Sequence, residues 1–330
     1  MSRIAVLGAG AWGTALALSL ARQDRHVVTL WGHTPGHVRA IETERENVRF
    51  LPGFPLVEGL RLTASLHEAV TAADVLLLVV PSEHVPATVA AMVPSLRADH
   101  ILVSASKGLQ DGTFRRMSEV VAALTPIRFA TLGGPSFARE VAGALPTAVT
   151  LATRDSAVAL QLQRDFSSES LRVYTNDDVA GVELGGALKN VIALAAGVVA
   201  GLELGANASA ALITRGMAEI TRLAIACGAR PDTMAGLAGY GDLVLTCTGK
   251  LSRNRTVGVE LGRGRTLPDI IAGLNGKVAE GVRCTAAALG LAKQHGIEMP
   301  ITAEMYAILH EGQAPRDAIR TLMTRPGRDE

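Results

Sequence analysis

Aromatic residues are scarce in this chain. Phe, Trp and Tyr together make up 3 % of it, too few for the stacking platforms that hold single-stranded nucleic acid. An excess of either charge is also missing. Lys and Arg number 32 against 31 Asp and Glu, a formal net charge of +1. That balance excludes a global basic field for nucleic acid or an anionic membrane, so any anion site is local. Cysteine is nearly absent: Cys227, Cys247 and Cys284 are scattered, odd in number and without metal-ligand spacing. The pattern argues against a disulfide framework and a bound metal, and it fits a reducing cytoplasm. Long apolar runs are lacking as well. The longest uncharged one, Val191 to Leu202, falls short of the ~20 residues of a membrane span. The opening "MSRIAVLGAG" holds an apolar run too short for a signal peptide and no small-residue cleavage site. The expectation is a soluble cytoplasmic protein with no membrane span and no nucleic-acid partner.

What the chain has in quantity is apolar and small residues. Hydrophobic residues make up 48 % and charged residues 19 % of 330 positions, enough for a sizeable core and about two domains. The first half alternates short Val/Ile/Leu runs with helical patterns. Candidate strands are residues 3–9, 26–31, 74–80, 100–106, 127–133, 146–152 and 171–175. Continuous rather than alternating apolar runs predict a sheet covered on both faces, joined by right-handed βαβ crossovers. After "NDD" at 176–178, whose acids suit a helix N-terminus, the pattern turns to long Ala/Leu-rich helices without a convincing strand. The division expected is an α/β domain over residues 1–178 and an all-helical domain over 179–330.

The strongest local motif is Gly8-x-Gly10-x-x-Gly13, placed between the first strand and a helix. Gly8 permits the tight turn, Gly10 lets the backbone approach a pyrophosphate, and Gly13 allows close helix–strand packing. The strand–turn–helix context makes this a dinucleotide site rather than a chance glycine run. An acid at the end of the second strand would hold the ribose 2′-hydroxyl of NAD. Here that strand ends Trp31-Gly32-His33-Thr34. With no carboxylate to repel a 2′-phosphate, NADP(H) is accepted and favoured, with NAD(H) possible, and His33 or Arg39 could face the phosphate.

Other strands end suggestively. One ends in Pro81-Ser82, another in Ser106-Lys107-Gly108, and a third in Gly133-Gly134-Pro135-Ser136. Ligands of open α/β sheets bind at these carboxyl ends. In the helical half, Lys189 stands in "GVELGGALKNVIALAAGVVAG" with Gly185, Gly186, Ile192 and Ala193 one turn away. Such a bare face admits either a closely packed helix or a small ligand beside the ammonium. Desolvation pushes a lysine toward neutrality, which suits general acid–base work on a carbonyl/alcohol pair. Asp242, alone among glycine-rich and apolar residues, suits orienting such a lysine or a substrate hydroxyl. Beyond it lie Ser252, Arg253 and Asn254, where Arg beside Asn suits phosphate unless the run is simply a solvated face. Glu280 is a weaker polar candidate.

Read together, "GAGAWGTALA", "SKGL", "GGPSFARE", "GVELGGALKNVIALAAG", "AGYGDLVLTCTGKLSRNR" and "EGVRCT" resemble bacterial NAD(P)-dependent sn-glycerol-3-phosphate dehydrogenases, collinearly and over nearly the whole chain. The resemblance implies a Rossmann-type doubly wound domain followed by an all-α domain like the C-terminal domain of 6-phosphogluconate dehydrogenase. It also implies reversible NAD(P)H-dependent reduction of dihydroxyacetone phosphate to sn-glycerol 3-phosphate for phospholipid synthesis, no metal, and a homodimer. By motif, Lys189 is implied as proton donor and acceptor, Lys107 as its electrostatic partner near both ligands, and Asp242 as the acid beside the lysine. Substrate contacts implied are Gly134, Ser136, Asn190, Ser252, Arg253 and Asn254. Cofactor contacts implied are Ala11, Trp12, His33, Ala138, Val278 and Glu280, with Lys107 and Arg253 shared. Ala11 and Trp12 stand where Ser and an aromatic are common, and Ser136 replaces a frequent threonine. Two other readings are a β-hydroxyacid or 6-phosphogluconate type dehydrogenase and a non-catalytic dinucleotide sensor. The second expects a basic DNA-binding face that the near-neutral chain does not show.

Overall fold

The structure, a computed structural model, describes residues 1–273 and 280–327. The chain forms two compact units: Met1–Gln110 with Arg115–Glu183, and Asp111–Phe114 with Leu184–Glu330.

The first unit is built on an eight-stranded sheet in the order β3-β2-β1-β4-β5-β6-β7-β8. Its strands are β1 (Ser2–Leu7), β2 (His26–Trp31), β3 (Arg61–Thr63), β4 (Val75–Leu78), β5 (Ile101–Ser104), β6 (Arg128–Gly133), β7 (Thr147–Ala152) and β8 (Leu171–Asn176). Successive side chains of a strand point to opposite faces. Ile4 and Val6 of β1, Val75 and Leu77 of β4, and Ile101 and Val103 of β5 therefore enter one core. Their neighbours Ala5, Leu7, Leu76, Leu78 and Leu102 enter a second core on the other face. Two covered faces are why these strands read as unbroken apolar runs.

Two features depart from the sequence reading. β3 is a three-residue edge strand with an exposed Arg61, and it carries no apolar run to announce it. β7 pairs antiparallel with β6, whereas all other neighbours are parallel. The link between β6 and β7 holds only the short helix Ala138–Ala142.

Strand order reverses between β1 and β4. Gly8 N–H donates to Trp31 carbonyl at 3.0 Å and Val79 N–H to Leu7 carbonyl at 2.8 Å. The glycine turn thus leaves the sheet at its topological switch point, where open α/β sheets hold ligands.

Among its described residues the second unit is built of helices, with no strand. The helix Val179–Gly201, whose residues from Leu184 onward belong to this unit, begins where Asp178 accepts a hydrogen bond from Gly181 N–H at 2.8 Å. With 23 residues and a mean hydropathy of 1.6 it is long and apolar enough to cross a membrane. The uncharged run counted in the sequence stops short because Glu183 and Lys189 interrupt it. In the fold, 89 % of its apolar window is buried inside the protein, as a core helix requires. The helix Pro300–His310 is capped from a neighbour: Glu219 of Gly205–Ala226 accepts from Ile301 N–H at 2.6 Å and Thr302 N–H at 3.3 Å. Burial pushes the Glu219 carboxyl up to about 7.

Candidate active site

In the first unit the phosphate turn has the geometry its glycines require. Gly8 sits at φ +133, and a Cβ there would come within 2.6 Å of the Val79 carbonyl oxygen. A Cβ on Gly13 would overlap the Gly8 carbonyl, whereas at Gly10 nothing lies within 4 Å. The one glycine meant to face a ligand is the one with open space. Gly10 is the N-cap of the helix Ala11–Ala21, which has no side-chain cap and no acid in its first turn, so its amide N–H groups suit an anion. These features fit the pyrophosphate of a dinucleotide.

The turn is braced from below by a residue the sequence did not point to. Buried Asn47 donates to the Ala9 carbonyl at 3.0 Å and to Thr14 Oγ1 at 2.7 Å. His37 Nε2 lies 3.4 Å from the same carbonyl, and burial holds its imidazole below the ordinary range. A lone Asn between charged residues in "ERENVRF" carries no periodic signal. Ala11, Trp12 and Ala138 pack together against the core of this face, and Trp12 Nε1 is buried without a hydrogen-bond partner. His33 stands exposed at the end of β2, edge-on to Trp31 at 6.0 Å.

The fold brings Lys107, Gly134 and Ser136 together at the carboxyl ends of β5 and β6. Lys107 Nζ donates to the Gly134 carbonyl at 3.1 Å, and Ser136 Oγ donates to the same oxygen at 3.0 Å. Gly134 adopts φ +109, where a Cβ would press within 3.2 Å of Val149 Cα.

In the second unit, Lys189 donates from Nζ to Asp242 Oδ1. Both are buried, at 6 % and 1 % exposure. A buried ammonium is tolerated because a carboxylate compensates it. The bare face around the lysine admits backbone: a Cβ on Gly185 would lie 2.5 Å from the Ala238 carbonyl oxygen. The π-helical turn Leu237–Gly241 packs there and delivers Asp242, first residue of the helix Asp242–Thr248. Thr246 Oγ1 donates to the Asp242 carbonyl at 2.6 Å. Cys247 shares this surrounding, and burial pushes its thiol up to about 12.

Asn190, Asn254 and the first turn of the helix Glu280–His295 form a second cluster. Asn254 Nδ2 donates to Asn190 Oδ1 at 2.9 Å, and Gly281 N–H donates to Asn254 Oδ1 at 3.0 Å. Ser252 caps the helix Arg253–Gly262 by accepting from Arg255 N–H at 3.2 Å. The Arg-Asn pair is thereby divided, with Asn254 buried and Arg253 exposed. Glu280 is half-buried at its helix start, and Val278 lies outside the described residues. Among the described residues no group of three or more His, Cys, Asp or Glu is placed to hold a metal.

Residues 3–159 match the sequence model described as NAD-dependent glycerol-3-phosphate dehydrogenase N-terminus, and residues 178–320 match that of the same enzyme's C-terminus. The chain belongs to the NAD-dependent glycerol-3-phosphate dehydrogenase family. Similar proteins include glycerol-3-phosphate dehydrogenase (NAD(P)+) of Acidobacterium capsulatum, 56 % identical over 100 % of both chains. The corresponding Koribacter versatilis protein is 57 % identical over 100 % of this chain and 99 % of its own. Among solved structures, the glycerol-3-phosphate dehydrogenase of Coxiella burnetii is 43 % identical with a TM-score of 0.94, covering 98 % of this chain and 99 % of that one.

Proposed function

We propose that this chain catalyses the reversible reduction of dihydroxyacetone phosphate to sn-glycerol 3-phosphate with NAD(P)H, favouring NADPH, and so supplies glycerophospholipid synthesis. The observation that carries the reading is the buried Lys189–Asp242 pair in a chain whose other unit ends its first strand in an open phosphate turn. When bound, the nicotinamide supplies the hydride that reaches C2 of the ketone. Lys189 donates a proton to the carbonyl oxygen in the reductive direction and takes it back in the oxidative one. Asp242 fixes the amine's direction. Lys107, steadied at the Gly134 carbonyl, stabilises negative charge developing on the oxygen. Ser252 and Asn254 spend their side chains inside the fold. Their share in holding the substrate phosphate falls to the amide groups of the first turn that Ser252 caps, beside the Arg253 guanidinium. Phosphate binding remote from C2 then positions the reacting carbon.

His33 at the end of β2, with no carboxylate beside it, supports acceptance of a 2′-phosphate. The enzyme is read as a cytoplasmic homodimer, which gel filtration with light scattering checks. The deciding experiment follows nicotinamide absorbance with dihydroxyacetone phosphate and each reduced cofactor in turn, with a β-keto acid as comparison. Turnover of the β-keto acid alone would move the chain to the β-hydroxyacid class, and no turnover with cofactor bound would favour a sensor.

A further inference from the structure

The hairpin that follows Lys107 and the helix Glu280–His295 each contain a feature that costs stability. Leu109 and Arg116 pair across it, Gln110 N–H donates to the Arg115 carbonyl at 2.9 Å, and residues 111–114 form its tip. Phe114 in that tip has φ +59, a left-handed conformation that a bulky side chain adopts only when its surroundings hold it there. Gly290 lies inside the helix Glu280–His295, where glycine is unfavourable relative to alanine. Each feature explains the other. A Cβ on Gly290 would overlap the Phe114 ring, with Cε1 2.7 Å away. The missing side chain is the seat for the ring, and the seated ring holds the backbone in its strained state.

The hairpin's base is tied separately. Glu183 accepts from Ser118 N–H at 2.7 Å, Ser118 Oγ at 2.6 Å and Arg116 Nη1 at 3.3 Å. Its start is tight as well: Gly108 has φ +156, and a Cβ there would overlap Ser82. The segment leaving Lys107 therefore has little slack at any point. We propose that Phe114 is a positioning residue for the reaction: its ring, seated against Gly290, fixes the hairpin and through it the backbone of Lys107. The inference rests on the role given to Lys107 above.

The test is a cycle of variants in the full chain. If misplacing the amine is the cause, Phe114→Ala lowers kcat for dihydroxyacetone phosphate by about 10- to 100-fold and leaves the NADPH dissociation constant nearly unchanged. Gly290→Ala, which evicts the ring, reproduces that loss, and Phe114→Leu restores most of the rate. In a Lys107→Ala background the Phe114→Ala change has little further effect. A merely structural role gives the same fractional loss in both backgrounds, or a lower Tm with kcat unchanged, and either result overturns the proposal. Should Phe114→Ala fail to fold, Gly290→Ala and Phe114→Leu carry the same comparison. Wild-type protein inactive on dihydroxyacetone phosphate would instead sink the proposed function.

Discussion

Lys189→Ala should damage stability and turnover for separate reasons, and the two can be pulled apart. Removing the amine leaves the Asp242 carboxylate buried at 1 % exposure without its compensating charge. Breaking one side of a buried pair costs about 3–5 kcal/mol. At about 2–4 °C per kcal/mol, the melting temperature falls by roughly 6–20 °C. Turnover falls too, because the proton donor is gone. General acid–base groups contribute about 10²–10⁴-fold. The double variant Lys189→Met/Asp242→Asn removes both charges and keeps most of the volume, so much of the lost stability should return, as it often does when buried pairs are neutralised. Turnover should not return. Thermal melts and steady-state rates on all three proteins decide the matter. A double variant that regains activity along with its melting temperature would show that Lys189 holds the fold and does not serve as the acid. So would a single variant with near-normal kcat.

Three further outcomes follow from the same geometry. Gly185→Ala puts a methyl 2.5 Å from the Ala238 carbonyl oxygen and should push the turn that carries Asp242 off the lysine helix. The overpacking costs about 1–3 kcal/mol, and a kcat drop without altered NADPH affinity is expected; an unchanged kcat counts against a tightly set pair. Arg253→Ala should raise KM for dihydroxyacetone phosphate about tenfold or more with NADPH affinity changed less, and an unchanged KM would show the phosphate sits elsewhere. Glu183 and Glu219 are each raised from 4.5 to about 7 by burial, so the folded chain holds protons that the unfolded chain releases. Stability from these two groups is fullest below pH 4.5 and is lost as pH rises through about 7. Chemical denaturation across that interval should show the decline, and Glu219→Gln should flatten it; a slope unchanged in the variant would mean Glu219 does not titrate there.

The sequence revealed most where one residue type has one physical use. The glycines of the phosphate turn, the apolar runs of a doubly covered sheet and the lone carboxylate of Asp242 each have few alternatives, so pattern alone placed them. Lys107, Gly134 and Ser136 were singled out at two separate strand ends, and the fold joins them through one carbonyl. What escaped has many uses or leaves no period. Asn47 under the turn is one polar residue in a charged stretch, and β3 is three residues at a sheet edge. The antiparallel direction of β7 is not something strand propensity encodes. The Phe114–Gly290 contact joins positions far apart in the chain, each unremarkable alone.

The Val179–Gly201 helix shows why one property can mislead and inform at once. Its hydropathy of 1.6 matches that of a membrane span, yet it carries Glu183 and Lys189 in its interior. A lipid-facing helix would leave both charges unpaired at high cost. Here the carboxylate of Glu183 meets Ser118 and Arg116, and the amine of Lys189 meets Asp242. The apolarity is therefore the dry wall that a charged pair needs for its direction to persist, since water would offer the amine many equivalent partners. Glycine at 185 serves the same end, because only a helix bare at that position lets the Asp242 turn come close enough to pair. The resemblance to a membrane span and the placement of the amine have one cause.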